Sequence, residues 1–172
     1  DPWPDSLAEL PQGTAPLTAA EGLKELGNRR FKEGRYEEAV KLYFKAKLFL
    51  PTGPAAHAPV AEGDAEGARA RECYLAVSSN AAMCKLKQGE HDVCARMCDA
   101  VLALDASNVK ARYRKALALR AQGDAEEAET VLKEALELDP ADAAIQKELT
   151  DIARQRRKDK ENEKRLAKKM FG

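Results

Sequence analysis

Three stretches of this sequence carry the same markers at the same distances, and this repetition limits the fold more than any other feature. Each stretch has a glycine in its middle, a small residue five positions later and an end seventeen positions after the glycine. The glycines are 55 and then 34 residues apart, at Gly34, Gly89 and Gly123. The same two steps separate the small residues and the ends, which are Ala39, Cys94, Ala128, Pro51, Ala106 and Pro140. One structural unit is therefore used three times, with 21 extra residues after its first copy.

The composition favours helices as the content of that unit. Charged residues make up 34% of the chain and aromatic residues only 5%, a balance that suits helices better than sheets. Seven of the eight prolines lie in the first 59 residues, so we predict that residues 1–17 and 51–60 are not helical. Thr18 and Glu21 have the spacing of a capping box for the first helix, and Asp139 is the predicted N-cap of the last. The predicted helices cover about 18–33, 36–50, 69–87, 91–104, 108–121, 125–138 and a long stretch from near 141.

A 34-residue period of two antiparallel helices and a turn is typical of the tetratricopeptide repeat, abbreviated TPR. The predicted fold class is therefore all-α, a TPR superhelix of three helix-turn-helix repeats followed by a long C-terminal capping helix. We expect the repeats at 20–51, 75–106 and 109–140 within a domain at 18–140. Residues 1–17 form the predicted linker from a preceding domain, residues 52–74 the insert, and residues 141–172 the capping helix with its basic end.

Small residues indicate where the two helices of each repeat approach each other. Position 8 of the first helices carries Gly27, Ala82 and Ala116, which we predict to face Ala39, Cys94 and Ala128 of the second helices. The mid-repeat glycines follow the ends of the first helices, where a left-handed conformation favours glycine.

The opposite face of the first helices predicts the functional surface. Rotation by about 100° per residue places a set of cations and carboxamides on the side that faces the concave groove of a superhelix. These candidate peptide-binding residues are Lys24, Asn28, Asn80, Lys87, Lys110 and Arg114. Because no acid is among them, the groove is suited to a carboxylate, and a C-terminal Asp offers two carboxylates together.

Five of these residues, Lys24, Asn28, Asn80, Lys110 and Arg114, resemble the carboxylate clamp of TPR co-chaperones. Lys87 resembles an auxiliary groove lysine of the same family. The stretches GNRRFKEGRYEEA, SSNAAMCKLKQ, NVKARYRKALAL and KRLAKKMFG are similar to the C-terminal TPR domain of the large immunophilins, which are FK506-binding or cyclophilin-type peptidyl-prolyl isomerases.

The resemblance implies a co-chaperone docking module. Its partner would be the C-terminal EEVD peptide of heat-shock protein 90, with heat-shock protein 70 as an open alternative. It also implies a cytoplasmic location, with the nucleus as the alternative, and an isomerase domain elsewhere in the parent protein. Since the sequence begins with Asp1 rather than Met, we expect a piece of a longer chain.

Two other functions stay open at this stage. One is a TPR scaffold for an internal acidic segment of another protein. The other is an adaptor for calmodulin or a membrane, acting through residues 154–171. This tail is strongly basic and places Leu166, Met170 and Phe171 at helical spacing. A solvated capping helix explains the same pattern, because solenoids need their last repeat covered.

Several functional classes are disfavoured by the sequence. Lysines and arginines balance acids at 29 each, which gives no bias towards nucleic acid, and no apolar run is long enough to span a membrane. We find no nucleophile–base pair, phosphate loop or metal set, so we predict neither an enzyme nor a cofactor nor a metal site. Cys94 and Cys98 are predicted to be buried, whereas Cys73 is expected to be partly exposed.

Overall fold

The computed structural model describes residues 13–51, 58 and 60–171, the last of these without its side chain. These residues form seven helices and no strand, which confirms the predicted all-α class. The helices are α1 (Pro16–Lys32), α2 (Tyr36–Lys47), α3 (Ala65–Lys87), α4 (His91–Leu104), α5 (Val109–Gln122), α6 (Ala125–Leu138) and α7 (Ala143–Phe171). Residues 1–12 of the linker predicted at 1–17, most of the loop at 52–59, the side chain of Phe171 and Gly172 lie outside the described residues. The end of the predicted linker, from Pro16, belongs to α1.

Tight turns join the two helices of each pair. Gly34, Gly89 and Gly123 have positive φ angles of 76°, 80° and 97°. An L-residue with a side chain is strained in this region, whereas glycine is not. The equivalent glycines therefore end the first helix of each pair in the same way and send the chain back antiparallel, as the sequence predicts.

The start of α1 differs from the prediction. The helix begins at Pro16, two residues before Thr18, and Ala15 occupies its N-cap without a side-chain hydrogen bond. The predicted capping box of Thr18 and Glu21 is therefore wrong, because proline at the first helical position sets an earlier start. Glu21 instead accepts hydrogen bonds from Arg69 at 2.8 Å, which ties α1 to the N-terminal part of α3.

The predicted N-cap of the last helix is also wrong. The carboxylate of Asp142, rather than that of Asp139, accepts hydrogen bonds from the backbone N–H groups of Ala144 at 2.8 Å and Ile145 at 3.1 Å. Asp139 lies at the C-cap of α6 instead. An aspartate three residues further on fits the first turn of α7, so the helix begins at Ala143.

Part of the insert lengthens α3. This helix begins at Ala65, four residues before the predicted start, and the Asp64 carboxylate caps it by accepting from the Gly67 N–H at 2.8 Å. Arg71 in this extension donates to the Leu104 carbonyl at 2.8 Å, at the end of α4. The C-terminal part of the insert is thus built into the helical stack.

Each helix packs against the next along the chain, and α3 also contacts α1 and α5 directly. This arrangement places the first helices of the pairs side by side, so that one face of each borders a common concave surface. The core is built mainly from alanine, leucine, valine and cysteine side chains. Cys94 and Cys98 are fully buried as predicted, but the expected exposure of Cys73 is wrong, since it is only 3% exposed. No helix in the described part of the chain is both long and apolar enough to cross a membrane.

Candidate functional site

A pocket of about 290 Å³ opens on the concave side, where α1, α2, α3 and α5 meet. Three polar side chains predicted from the sequence lie in it together, one from each of the first helices: Asn28, Asn80 and Arg114. The rest of its lining combines apolar side chains with a cation and a phenol, from Phe31, Met83, Lys32 and Tyr43. The structure thus brings half of the six candidate residues into one pocket.

These polar side chains form a continuous chain of hydrogen bonds, which we call the polar network and define as Asn28, Tyr43, Ser79, Asn80 and Arg114. The Tyr43 hydroxyl donates to Asn28 Oδ1 at 2.8 Å, and Asn80 Nδ2 donates to the same oxygen at 3.1 Å. Arg114 Nη2 donates to Asn80 Oδ1 at 3.3 Å, and its Nη1 donates to Ser79 Oγ. Four helices are therefore linked through one set of side chains.

Gly27 allows Tyr43 to reach this network. A Cβ atom at position 27 would lie 2.6 Å from Tyr43 Cε1, which is closer than carbon atoms approach. The nearest side chain to Gly27 is thus Tyr43, one turn beyond the predicted Ala39 on α2. Because Gly27 has no side chain, the tyrosine ring lies against the backbone of α1 and its hydroxyl reaches the neighbouring Asn28.

Arg114 is a half-buried cation. Its guanidinium donates to a serine hydroxyl and a carboxamide, and among the described residues it makes no ion pair. Burial lowers the pKa of Arg114 below its usual range, because removal from water disfavours the charged form. A buried charge without a counter-charge is unfavourable, so the pocket is suited to an anionic ligand.

Other cations on α5 behave differently. Arg112 pairs with Glu134 at 3.4 Å and Lys115 pairs with Asp99 at 2.8 Å, both acids on neighbouring helices. Lys110 and Arg114, on the remaining face of the same helix, have no acidic partner in the described part of the chain. Unlike Arg112 and Lys115, these two cations pair with no acid on a neighbouring helix in the described part of the chain.

The three remaining candidate residues lie outside the pocket lining, and we call them the outer lysines: Lys24, Lys87 and Lys110. Lys24 lies one helical turn before Asn28 and is close enough to Cys73 for its charge to oppose the burial that raises the pKa of that thiol. Lys110 lies one turn before Arg114 and is exposed, and Lys87 is exposed near the end of α3. The structure does not link these lysines to the polar network.

Sequence reasoning missed the contribution of the second helices. Tyr43 lies on α2, whereas the candidate residues were taken only from first helices. The signal that could have identified it is the pair of Gly27 and an aromatic residue sixteen positions later, because a glycine within a helix indicates close approach. Ser79, Phe31, Lys32 and Met83 were also missed. Met83 and Lys32 occupy the same repeat positions as Asn28 and Lys87, so helix periodicity places them on the groove face although they were not selected.

The described residues contain no group of three or more His, Cys, Asp or Glu side chains that could hold a metal ion. Hydrogen-bonding groups, cations and apolar side chains surround the small cavity.

Comparison with known proteins agrees with this architecture. Residues 85–152 match the family model described as tetratricopeptide repeat. The chain is 30% identical over 155 residues to FK506-binding protein 59 of Drosophila melanogaster, covering 90% of this chain and 33% of that protein. It is 31% identical over 170 residues to peptidyl-prolyl cis-trans isomerase D of Eremothecium gossypii, covering 97% of this chain and 45% of that protein. The chain thus spans less than half the length of these relatives.

Solved structures give the same result for the fold. The first TPR of Spaghetti (RPAP3), bound to the HSP90 peptide SRMEEVD, superposes with a TM-score of 0.61 at 27% identity, covering 80% of this chain and 93% of that one. The second TPR domain of human RPAP3, in complex with the HSP70 peptide SGPTIEEVD, gives a TM-score of 0.60 at 27% identity, with coverages of 80% and 98%.

The helix pairs, the turn glycines and these matches together define the chain as a tetratricopeptide-repeat domain with an all-α superhelical fold. Among proteins with such domains, it matches the TPR region of the large immunophilins of the FK506-binding and cyclophilin types.

Proposed function

We propose that this domain docks its parent protein onto heat-shock protein 90 by binding the C-terminal EEVD peptide in the pocket and along the adjoining groove. In this proposal Asn28, Asn80 and Arg114 donate hydrogen bonds to the carboxylates of the terminal Asp. Lys24 and Lys110 supply positive charge next to them, and Lys87 attracts the acidic residues further along the peptide. The C-terminal peptide of heat-shock protein 70 ends in the same four residues and is the second candidate ligand.

The observation that carries the proposal is the half-buried guanidinium of Arg114, which lines the pocket without a carboxylate partner in the described part of the chain. Its neutral partners orient it but leave its charge uncompensated. A ligand carboxylate would supply the missing counter-charge, and hydrogen bonds between charged groups contribute about 1.5–3 kcal/mol each. Several such bonds can support micromolar binding even after a loose peptide tail is ordered.

The solved structures support the choice of ligand. Two TPR domains with 27% identity to this chain bind peptides that end in EEVD, one from HSP90 and one from HSP70. The uncompensated cations of this chain lie on the face of the first helices, where the concave surface of a superhelix is available to an extended peptide.

The parent protein is proposed to be a cytoplasmic peptidyl-prolyl isomerase. The relatives that carry this name or the FK506-binding name are two to three times longer than this chain. In this account the TPR domain supplies the tether and any isomerase activity belongs to a separate domain. The domain boundaries at 18–140 and 141–172, with repeats at 20–51, 75–106 and 109–140, form part of the proposal.

Calorimetric titration of the domain with SRMEEVD tests the proposal. The free-acid peptide should bind with a dissociation constant in the micromolar range, and amidation of its C-terminus should weaken binding sharply. A scaffold for internal acidic segments would bind both forms alike, because the side-chain carboxylates are unchanged. Lys115→Ala is the matched control, since Lys115 already pairs with Asp99 and its removal should leave both affinities unchanged.

A further inference from the structure

The hydrogen bonds of the polar network have a defined direction, and Arg114 sets it. A guanidinium group has only donors, so the oxygen of Asn80 must be the atom that faces Arg114. The amide nitrogen of Asn80 then faces α1, where it donates to Asn28 Oδ1 at 3.1 Å. Because Asn80 presents its nitrogen to α1, Asn28 must present its oxygen, rather than its own nitrogen, to Asn80.

Tyr43 provides the second and shorter hydrogen bond to the same oxygen. Its hydroxyl lies 2.8 Å from Asn28 Oδ1. With two donors on its oxygen, the amide of Asn28 has its Nδ2 directed away from the network, and this nitrogen has no partner among the residues that the structure describes. The free N–H groups of Asn28 lie in the lining of the pocket, where a carboxylate would accept from them.

The position of the tyrosine hydroxyl is itself fixed by packing. Tyr43 is only 1% exposed, and its ring lies against Gly27, the residue next to Asn28. Burial raises the pKa of Tyr43 well above its usual range, so the hydroxyl stays protonated and remains a donor at physiological pH. The Tyr43 hydroxyl is therefore a fixed donor to Asn28 Oδ1. If the amide turned this oxygen towards the pocket, it would repel an anionic ligand.

We propose that Tyr43 is a positioning residue for peptide binding: its hydroxyl fixes the side-chain amide of Asn28 so that Nδ2, not Oδ1, faces the ligand carboxylate. The inference rests on the proposed function of the pocket, and Tyr43 acts through Asn28 without contacting the peptide.

The variant Tyr43→Phe tests this role, because it removes the hydroxyl and keeps the ring against Gly27. We expect the dissociation constant for free-acid SRMEEVD to rise about fivefold, the factor that corresponds to one typical net hydrogen bond. Tyr74→Phe is the matched control. The Tyr74 ring packs against the group of buried apolar side chains that contains Tyr43, and Lys47 Nζ lies 4.5 Å from the centroid of the ring. The Tyr74 hydroxyl has no hydrogen bond in the described part of the chain. The Tyr74→Phe variant should therefore bind SRMEEVD with the affinity of the wild type.

A double-mutant cycle separates positioning from a general loss of structure. In an Asn28→Ala background Tyr43→Phe should have no further effect on the dissociation constant, because the amide it orients is absent. In a Lys110→Ala background it should retain its full effect of about fivefold. A purely structural role of Tyr43 would weaken binding equally in both backgrounds.

Nuclear magnetic resonance of the side-chain amides gives a readout that is independent of affinity. The Asn28 Nδ2 signals should shift in Tyr43→Phe without peptide, and the Asn28 signals of Tyr74→Phe should stay in place. If the wild type binds SRMEEVD while Tyr43→Phe binds equally well, or loses affinity also without Asn28, the positioning role is refuted and the proposed function stands. If the wild type does not bind the peptide, the proposed function fails and the positioning role fails with it.

Discussion

The polar network and the outer lysines both supply positive or hydrogen-bonding groups to one concave surface, but they are held very differently. Asn28, Asn80 and Arg114 are bonded to one another and to α2 through Tyr43. Among the described residues the outer lysines have no such contacts, and Lys87 and Lys110 are exposed. Groups that are already oriented lose little entropy when a ligand binds, whereas mobile surface charges are screened by salt. We therefore expect the network to set affinity and the outer lysines to set its salt dependence.

The largest effect is expected for Arg114→Ala, which removes the half-buried cation of the network. Peptide binding should weaken by about 1.5–3 kcal/mol, because a charge-assisted hydrogen bond is lost, and this is measured by calorimetric titration. The control is Arg120→Ala on the same helix, where Arg120 pairs with Glu148. If Arg114→Ala binds the peptide as tightly as the wild type, the polar network does not set the affinity.

Gly27→Ala should break the network without changing any of its members. The new Cβ would lie 2.6 Å from Tyr43 Cε1, so the ring must move, and overpacking of this kind costs about 1–3 kcal/mol. Urea unfolding should show this loss of stability, together with weaker peptide binding. Combination with Tyr43→Ala should remove the overpacking, so additive losses of stability in the double variant would argue against the contact.

Lys110→Ala tests the outer lysines directly. We expect a loss of about 0.5–1 kcal/mol in peptide affinity at low salt, as for an exposed ion pair. The loss should shrink when the ionic strength is raised from 0.05 to about 0.5 M, because exposed charges are screened. Lys115→Ala serves as the control on the same helix. A salt-independent loss as large as that of Arg114→Ala would abolish the distinction between the two groups.

Cys84 tests the environment of the polar network, because its buried thiol lies close enough to Arg114 to feel the positive charge. Burial raises the pKa of the Cys84 thiol to about 11, above its value of about 8.5 in an unfolded chain. The unfolded state therefore loses the proton first as the pH rises. The stabilising contribution is complete below about pH 8.5 and is lost as the pH rises towards 11. Unfolding measured at pH 8 and pH 10.5 should show a smaller alkaline loss in Cys84→Ala than in the wild type, and equal losses would contradict this assignment.

Deletion of residues 157–172 is expected to have the smallest effect. This basic end of α7 lies beyond Ile145 and Ile152, the buried residues that attach the helix to the core. Peptide affinity at physiological salt should change by less than about 0.5 kcal/mol, as measured by the same titration. A large loss of peptide affinity would mean that the basic tail, like the outer lysines, contributes charge to peptide binding.

Calmodulin binding by residues 154–171 is only an alternative to a solvated capping helix, and the comparisons with known proteins do not support it. Leu166 is 57% exposed and Met170 is 75% exposed on the basic end of α7.

The fold could be predicted from the sequence because its markers are local. A glycine at positive φ and a proline-free helical stretch each act within a few residues, so the helix pairs and most helix bounds agree. The capping box at Thr18 failed because Pro16 competes for the same helix start. The burial of Cys73 was missed because it depends on the packing of α3 against α1 and α2, which a local pattern does not indicate.

The candidate site could be predicted only in part, because the sequence signals are local whereas the site depends on how the helices pack. Helix periodicity identifies which residues share a face, and it correctly grouped Asn28, Asn80 and Arg114. It does not indicate how closely two helices approach, so the position of Tyr43 could not be obtained without the contact at Gly27. Nor does periodicity distinguish the half-buried Arg114 from the exposed Lys110 one turn earlier on the same face.

The most direct test of the account is a thermodynamic cycle between Arg114 and the terminal carboxylate of the peptide. Free-acid and amidated SRMEEVD are titrated into the wild type and into Arg114→Ala. We predict that amidation weakens binding to the wild type at least tenfold more than binding to the variant, a coupling of about 1.4 kcal/mol or more. If amidation has the same effect on both proteins, Arg114 does not bind the carboxylate and the central claim is wrong.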